Sequence, residues 1–433
     1  MLSWPYGINP TKEYQTVVNF ISNNTDGHLF ITGRPGTGKS TLLRIIKKFL
    51  GNRAVVLAPT GLSAVNIGGQ TIHSFFCLPP RLILADDIRL CHSSRLMQKI
   101  DYIIIDEVSM VRSDIMWAID QCLRINRKCF TKAFGGVRLI LFGDLYQLPP
   151  VVRSEEFKFL EEQYGGPYFF YIPGLTEGVG TQYIELSQVF RQTDELLIAI
   201  LNSIRHGKIN SKYLDILNAR VQPIRRLSES KSYVILTSTH AAANRINNAY
   251  LNALPGSLNV FNASISGDFS SNTFPTEPKL SLKVGAKVML LRNDPDQRWV
   301  NGSIAEIVRL ESYRVWVRIS GQDHEIDKVS WENRRYVLDK NQEKMVEKIT
   351  GRFKQFPLRL AWALTIHKSQ GLTLDQAYID FGRKTFVHGQ AYVALSRCRS
   401  LESIVLARPL EPKDILLDTR ASDYTRLFHL FRG

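Results

Sequence analysis

The length, composition and charge of the chain limit the classes of protein to consider. Its 433 residues are enough for two or three domains, and 44% apolar with 22% charged residues is typical of a globular protein. No apolar run approaches the length of a membrane span and the N-terminus lacks the features of a secretory signal, so we expect a cytoplasmic protein. A net charge of +15, from 55 Lys and Arg against 40 Asp and Glu, predicts a polyanionic partner. Charge alone leaves nucleic acid, an anionic membrane and a generally basic surface open.

The cysteines give no sign of a metal or redox motif. No two of them form a C-x-x-C pair, and their scatter favours a reducing, intracellular compartment. The five are Cys77, Cys91, Cys122, Cys129 and Cys398.

Residues 28–50 read HLFITGRPGTGKSTLLRIIKKFL and predict a nucleotide site. Gly33, Gly38, Lys39 and Ser40 fit the pattern G-x-x-x-x-G-K-[ST], with an apolar strand before the turn and an amphipathic helix after it. In such a loop the backbone N–H groups hold phosphates, the lysine reaches the outer phosphates and the hydroxyl binds Mg²⁺. This context favours a nucleotide site over an ordinary glycine turn between a strand and a helix.

Strand-like and helix-like segments alternate along the first half of the chain. Apolar runs at 53–60, 101–107 and 136–144 predict a parallel sheet whose strands all end in polar residues at one edge. A second α/β pattern begins near 181–192, continues at 232–248 and resumes at 358–380 and 402–410. Short alternating strands between Leu254 and Gly351 interrupt it and predict a small inserted barrel.

Polar clusters follow two of these strands. Asp106 and Glu107 suit a Mg²⁺ ligand and an acceptor for the proton of attacking water, and Asp144 and Gln147 would face a γ-phosphate. A motor also needs a group that contacts the γ-phosphate from another lobe, and arginine suits this role because its fork binds phosphate. The sequence offers two candidates of this kind, Arg191 and Arg397.

Seven segments occur in the order of the helicase motifs of superfamily 1. They are GRPGTGKST, LAPTGLSAVNIGGQTIHSFF, IIDEVSM, FGDLYQLPP, VFRQ, WALTIHKSQGLTLD and YVALSRCRS. The segment DIMWAIDQCLRINRKCFTKAFGGVRLILFGD resembles the signature of one family in the B branch, and VGAKVMLLRNDP with WVNGSIAEIV resembles that family's inserted barrel. From Asn9 to Arg408 the chain resembles the petite-integration-frequency (PIF) DNA helicases, in the form of a minimal bacterial-type core.

The resemblance implies an α/β fold of two RecA-like P-loop NTPase lobes with parallel sheets. A small wedge insertion and an SH3-like β-barrel inserted in the second lobe complete it. The implied boundaries are lobe 1A over 1–184 with a 1B wedge at about 64–85, lobe 2A over 185–253 and 352–433, and an SH3-like 2B domain over 254–351.

The resemblance also assigns roles to individual residues. The ATP-binding residues would be Gln15, which would read adenine, with Gly33, Pro35, Gly36, Thr37, Gly38, Lys39, Ser40, Thr41 and Gly371. The catalytic residues would be Lys39, Asp106, Glu107, Gln147, Arg191 and Arg397, with Mg²⁺ held by Ser40 and Asp106. The single-stranded DNA would contact Thr60, Asn66, His73, Phe75, Thr239, His240, His367, Ser369 and Gln370.

The implied activity is an ATP- and Mg²⁺-dependent 5′→3′ translocation on single-stranded DNA that unwinds duplexes. Forked DNA, G-quadruplexes and RNA–DNA hybrids are the candidate substrates, DNA repair and telomere maintenance the candidate processes, and the cytoplasm or nucleoid the expected location of a protein that is monomeric when free. Two alternatives stay open: a nucleotide-switched DNA-binding module without turnover, and a P-loop kinase of small molecules. The kinase would leave the second lobe, the barrel and the positive charge without a role.

Overall fold

The structure is a computed structural model. It describes residues 10–23, 26–91, 94–177, 180–192, 194–222, 233–296, 298–299, 301–338 and 345–427. Within these ranges no helix combines the length and the apolar content that a membrane crossing requires.

The first lobe is built on a six-stranded parallel sheet with the order β3-β2-β4-β5-β1-β6. The strands are β1 (His28–Gly33), β2 (Ala54–Ala58), β3 (Gln70–Thr71), β4 (Tyr102–Ile105), β5 (Arg138–Phe142) and β6 (Thr181–Leu186). Every residue of β1, β2 and β4 is buried, as expected for a sheet covered on both faces. The carboxyl ends of β4, β5 and β1 are adjacent, which confirms that their polar clusters converge.

Helices cover both faces of this sheet. They are α1 (Lys12–Ser22), α2 (Lys39–Leu50), α3 (Gly61–Ile67), α4 (Ile72–Phe76), α5 (Ser94–Lys99), α6 (Ser113–Arg127), α7 (Ser154–Tyr164) and α8 (Pro173–Thr176). Along β1 the side chains alternate between two apolar cores: Leu29 and Ile31 pack with α1 and α2, and Phe30 packs with α4 to α6.

The second lobe has a four-stranded parallel sheet with the order β18-β7-β19-β20. Its strands are β7 (Val234–Thr237), β18 (Ala363–Thr365), β19 (Ala377–Asp380) and β20 (Ile404–Leu406). The helices of this half are α9 (Glu195–Arg205), α10 (Ser211–Asn218), α11 (His240–Ala253), α12 (Gln390–Leu395) and α13 (Thr419–Leu427). Two parallel α/β lobes confirm the predicted fold class.

Antiparallel strands form the insertion. They are β8 (Asn259–Asn262), β9 (Ser264–Gly267), β10 (Lys279–Leu282), β11 (Lys287–Leu290), β12 (Ile304–Leu310), β13 (Val315–Ile319), β14 (Gln322–Ile326), β15 (Val329–Leu338), β16 (Met345–Gln355) and β17 (Leu358–Leu360). They pair as β14-β13-β12-β11-β17, β15-β16-β9 and β10-β8. The insertion shares an apolar core with the second lobe, in which Val288 and Val317 lie with Ile235 and Tyr250.

Four segments differ from the predicted organisation. Strand β6 spans the predicted boundary at residue 184 and pairs along its whole length with β1 in the first sheet. The insertion extends to β17, because β17 pairs with β11. Helix α13 packs in the core of the first lobe, where Tyr424 stacks on Phe170 with ring centroids 3.8 Å apart. The predicted wedge at 64–85 overlaps α3, β3 and α4, and only the segment from residue 77 to 91 lacks helix and strand apart from one 3₁₀ turn.

Candidate active site

A cleft of about 530 Å³ lies between the two lobes, where β1, β4 and β5 end. Residues from both halves of the chain line it: Pro35, Gly36, Gly38, Lys39, Ser40, Thr41, Glu107, Gln147, Phe190, Arg191, Gly371, Thr373, Arg397 and Arg399. The structure therefore brings together most of the residues predicted for the nucleotide.

The glycine-rich loop between β1 and α2 has the backbone that phosphate binding requires. Gly36 and Gly38 have φ of +85° and +82°, which side chains rarely allow. The Lys39 ammonium donates to the backbone oxygens of Gly33 at 2.5 Å and Arg34 at 3.1 Å. Burial lowers the pKa of Lys39, an effect that nearby carboxylates oppose. A phosphate would give this buried cation a charged partner.

Two aromatic residues that were not among the predicted site residues lie against this loop. The Tyr14 hydroxyl donates to the backbone oxygen of Gly38 at 3.0 Å. The backbone N–H of Phe190 donates to the oxygen of Gly36 at 2.8 Å, and the Phe190 ring is 56% exposed in the cleft. The aromatic residue directly before Arg191 was the signal in the sequence that could have indicated this contact.

The two carboxylates predicted to be catalytic, Asp106 and Glu107, follow β4. Burial, and then the neighbouring Glu107, raises the pKa of Asp106 to about 7. Burial also raises the pKa of Glu107, against the opposing effects of Lys39 and Arg397. The Gln370 amide donates to Glu107 Oε2 at 3.1 Å and to Gln147 Oε1 at 3.2 Å. A side chain of the second lobe thus holds two polar residues of the first.

Two arginines reach the same cleft from the other side. Arg397 is 1% exposed, and its guanidinium donates to the backbone oxygens of Val393, Ser369 and Leu372. Burial, and then Arg191, lowers the pKa of Arg397 to about 9. Arg191 Nη2 donates to the oxygen of Gly371 at 3.3 Å, whereas Nη1 is buried without a hydrogen-bond partner among the described residues.

Burial, and then Arg399, lowers the pKa of Arg191 to about 10. Mutual repulsion and an unused buried donor both favour an anion between these arginines.

A buried ion pair joins the lobes beneath the cleft. Arg205 on α9 binds Glu185 at 2.6 Å and Asp144 at 3.4 Å, and it stacks on the Tyr146 ring. The Tyr392 hydroxyl donates to Asp144 Oδ2 at 3.3 Å. The sequence indicated Asp144 as a residue facing phosphate. Its neighbour Arg205 lies outside the seven motifs, and Tyr392 begins the motif YVALSRCRS but was not predicted as a site residue.

Among the predicted DNA contacts of the first lobe, two lie at helix starts. The Thr60 hydroxyl caps α3 by accepting from the backbone N–H of Ser63 at 3.2 Å. His73 on α4 is half-buried, and burial together with Arg112 lowers its pKa. The Asn66 side chain lies outside the part of the structure that is described.

Three of the predicted contacts of the second lobe follow strands β7 and β18: Thr239, His240 and His367. Thr239 caps α11, and both it and His240 are exposed. Burial lowers the pKa of His367, and the neighbouring His240 lowers it further. Sequence reasoning missed Ser238 and Arg359, whose Oγ and Nε are buried without hydrogen-bond partners in the described part of the chain.

Four predicted site residues lie elsewhere. Phe75 is 3% exposed in the first-lobe core, so its ring is not presented to a base. Ser369 is fully buried and its hydroxyl donates to the oxygen of Ile366. Gln370 belongs to the nucleotide cleft through its contact with Glu107. Gln15 is exposed on α1 and does not line the cleft described above.

Sequence and structure comparisons agree on the relatives. A family model described as PIF1-like helicase matches residues 9–214, and a second helicase model matches residues 335–425. The ATP-dependent DNA helicase Pif1 of Bdellovibrio bacteriovorus is 33% identical over 413 residues, which are 93% of this chain and 88% of that protein. The mouse ATP-dependent DNA helicase PIF1 is 31% identical over 94% of this chain, and the chain spans 61% of its length.

Two crystal structures of Bacteroides Pif1, with different ligands, each cover 97% of this chain. The complex with ADP-AlF4 is 36% identical with a TM-score of 0.89, and the complex with single-stranded DNA is 37% identical with a TM-score of 0.70; each match also covers 97% of the solved chain. Because the likeness extends over both lobes and the insertion, the chain belongs to the PIF1-like helicase family of ATP-dependent DNA helicases.

Proposed function

We propose that the chain is an ATP- and Mg²⁺-dependent helicase that moves 5′→3′ on single-stranded DNA and unwinds forked duplexes. One observation carries the proposal: Lys39, Glu107 and Gln147 of the first lobe share a cleft with Arg191 and Arg397, which follow the last strand of the first sheet. A binding module has no evident need for a water-activating carboxylate and two arginines around one phosphate site.

The residues of the cleft suit hydrolysis of a nucleotide. Glu107, whose pKa is raised, would accept the proton of the attacking water, and Gln147 would contact the γ-phosphate. Arg191 and Arg397 would stabilise the negative charge on the transferred phosphoryl group. Phe190, exposed beside the loop, would contact the base.

The described residues fit Mg²⁺. Asp106 is half-buried, and burial and the neighbouring Glu107 raise its pKa against the opposing effects of Lys39 and Arg44. A cation beside this carboxylate would favour its charged form. The Ser40 hydroxyl and the Asp106 carboxylate would hold the ion together with phosphate oxygens and water, an oxygen set that Mg²⁺ prefers. When bound, the ion would neutralise charge on the phosphates.

The lobe contacts support coupling between hydrolysis and movement. Gln370 of the second lobe binds Glu107 and Gln147 of the first, so groups around the γ-phosphate also join the lobes. Binding and loss of the γ-phosphate would therefore close and open the cleft. The DNA strand would cross Thr60, Asn66 and His73 in the first lobe and Thr239, His240 and His367 in the second.

The finer assignments rest on the family. Bacteroides Pif1 has been solved bound to single-stranded DNA, and another Pif1 structure concerns DNA unwinding at forked double-stranded DNA; both support these substrates for the present chain. The 5′→3′ direction, G-quadruplexes, RNA–DNA hybrids and a free monomer are extended to it by family resemblance. The segment from residue 77 to 91 is the candidate wedge.

The deciding experiment compares ATP hydrolysis with and without single-stranded DNA in the native protein and in Glu107→Gln. We expect strong stimulation by DNA in the native protein and loss of hydrolysis with retained ATP binding in the variant. Hydrolysis that ignores DNA would refute the motor and favour a kinase, and DNA binding without turnover would favour the switched module. Unwinding of duplexes with only a 5′ or only a 3′ single-stranded tail then tests the direction.

A further inference from the structure

Three of the five cysteines meet in the first lobe although they are far apart in sequence. Cys77 ends α4, Cys91 ends the segment 77–91 and Cys122 lies on α6. The Cys91 thiol lies against the backbone of Phe76, the residue before Cys77, and Cys91 packs with Cys122 in the core of the first lobe. Among the described residues no group of His, Cys, Asp and Glu side chains is arranged to hold a metal ion. The cluster is a candidate site of thiol chemistry.

Asn126 fixes the position of Cys91 beside α6. Its Oδ1 accepts from the backbone N–H of Cys91 at 2.8 Å, and its Nδ2 donates to the backbone oxygen of Cys122 at 2.8 Å. The Cys91 thiol also lies 3.4 Å from the backbone oxygen of Phe76, the residue before Cys77. Cys91 is thus held between the two other cysteines.

The three thiols differ in access. Cys77 is exposed, Cys91 is 8% exposed and Cys122 is fully buried. An oxidant from solvent reaches Cys77 first, and Cys91 is the adjacent thiol that can attack the product. Cys77 also has φ of +56°, so its position at the end of α4 is set by the turn.

The hydrogen bonds of the cluster favour ionisation of one thiol. The bond with Cys122, together with those of Cys77 and Asn126, lowers the pKa of Cys91 to about 7 despite its burial. The bond with Cys91, and burial, raise the pKa of Cys122, which therefore keeps its proton. In the described part of the chain, the titratable groups that face the Cys91 thiol are these two cysteines, from α4 and α6.

We propose that Cys77 and Cys91 are a peroxide-sensitive modification site that forms a reversible disulfide, with Cys122 as the positioning hydrogen-bond donor. The Cys77 thiolate attacks one oxygen of hydrogen peroxide, the O–O bond breaks and a sulfenic acid and water result. The Cys91 thiolate then attacks the Cys77 sulfur, the S–S bond forms and the hydroxyl leaves as water. In sum, two thiols and one peroxide give one disulfide and two waters.

The disulfide would close a ring from residue 77 to residue 91. Arg81 pairs with Asp87 inside this segment, and the backbone N–H of Ile83 donates to Asp114 of α6. The bond would therefore fasten a segment that is already anchored to α6. This inference concerns thiol chemistry alone and does not depend on the proposed motor activity.

The test treats the full chain with hydrogen peroxide, blocks the remaining thiols and maps disulfide-linked peptides by mass spectrometry. We expect a Cys77–Cys91 link that dithiothreitol reverses and that Cys77→Ser abolishes. Cys129→Ser and Cys398→Ser are the matched controls, since Cys129 is half-buried away from the cluster and Cys398 lies buried in the second lobe. Both controls should keep the link at the native rate.

The pH dependence of the reaction tests the role of Cys122. The second step, followed as loss of the sulfenic acid, should have a midpoint near the pKa of Cys91 in the native protein. Cys122→Ala removes the donor and should move this midpoint upward by about one pH unit, whereas Cys122→Ser keeps a donor and should restore it. Circular dichroism checks that each variant is folded.

Two results would overturn the proposal. Peroxide treatment that leaves Cys77 and Cys91 unlinked, or that links Cys129 instead, would refute the modification site. An unchanged midpoint in a folded Cys122→Ala protein would refute the donor role of Cys122.

Discussion

Gln370 shows how a single side chain takes its role from the folded chain. The motif resemblance placed it on the DNA strand, yet its amide joins Glu107 to Gln147 across the lobe boundary. An amide can donate to both a carboxylate and an amide oxygen. Gln370 therefore orients Glu107 and Gln147, the residues proposed to contact water and phosphate.

Replacing this amide should affect hydrolysis more than DNA binding. In Gln370→Ala we expect the DNA-stimulated turnover to fall about ten-fold, equivalent to about 1.4 kcal/mol, because Glu107 and Gln147 lose their common donor. Fluorescence anisotropy should show little change in affinity for single-stranded DNA. Thr239→Ala is the control with the opposite pattern, since Thr239 is exposed on the proposed DNA surface. Equal losses of turnover and of DNA affinity in Gln370→Ala would instead support a role of Gln370 in DNA binding.

Asp106 should make the stability of the Mg²⁺-free protein depend on pH. The pKa of Asp106 is about 7 in the folded chain, against an ordinary value of 3.8. Between these two pH values the folded state therefore holds a proton that the unfolded state releases. Stability is therefore lost as the pH rises between these two values, and the loss is complete above the folded pKa.

Asp106→Asn removes this ionisation and should raise the free energy of unfolding at about pH 8 by on the order of 1 to 3 kcal/mol, with a smaller gain toward about pH 4. Urea denaturation in the presence of a chelator measures the change. The exposed Asp86→Asn is the control. A gain that does not vary with pH would contradict the assignment.

At the scale of elements, α9 is fixed to the first lobe by one buried cation. Arg205, at the end of α9, is 4% exposed and Asp144 is fully buried after β5. Tyr392 of α12 contacts the same carboxylate. Two helices of the second lobe thus meet the turn that carries Gln147.

Breaking this pair should be costly because one charge would remain buried. Arg205→Ala should lower the free energy of unfolding by about 3 kcal/mol, as found when one partner of a buried pair is removed. Arg318→Ala is the matched control, because Arg318 and Asp323 form a pair whose side chains are 52% and 48% exposed. We expect less than about 1 kcal/mol there. Urea denaturation measures both variants. Similar decreases in the free energy of unfolding would show that the buried pair contributes no more to stability than the exposed pair.

The elements also show what the sequence could predict. The P-loop and the strands before Asp106 and Asp144 were predictable because continuous apolar runs with fixed polar ends have few alternatives. The predicted boundary at residue 184 cuts through β6, because an alternating pattern describes a strand without saying which strand it pairs with. The burial of Phe75 was not predictable, because the start of a helix does not reveal which of its side chains face the core.

At the scale of the whole molecule, the insertion contacts both lobes. It shares a core with the second lobe, and Trp331, Phe353 and Phe269 form another cluster against which Val65 of α3 packs. Thr60, a proposed DNA contact, begins this same helix α3. Because α3 carries a proposed DNA contact and packs against the insertion, we expect DNA binding and the position of the insertion to be linked.

Small-angle X-ray scattering should detect this link. Without DNA the profile should match the present structure, and with single-stranded DNA it should depart from it. Val65→Asp places a charge against the apolar cluster and should shift the DNA-free profile in the same direction, whereas Val260→Asp, at an exposed position of the insertion, should not. Identical profiles with and without DNA would exclude the rearrangement.

The short contact at Gly36 has a consequence for how the family can vary. The general P-loop pattern leaves this position free, yet a Cβ there would lie 2.3 Å from the Cβ of Arg191. Alanine at this position would push away the very segment that brings an arginine to the phosphate. We expect a substitution of Gly36 to leave ATP binding intact and to uncouple the two lobes. Glycine at this position therefore reflects the contact with the Arg191 segment as well as nucleotide binding.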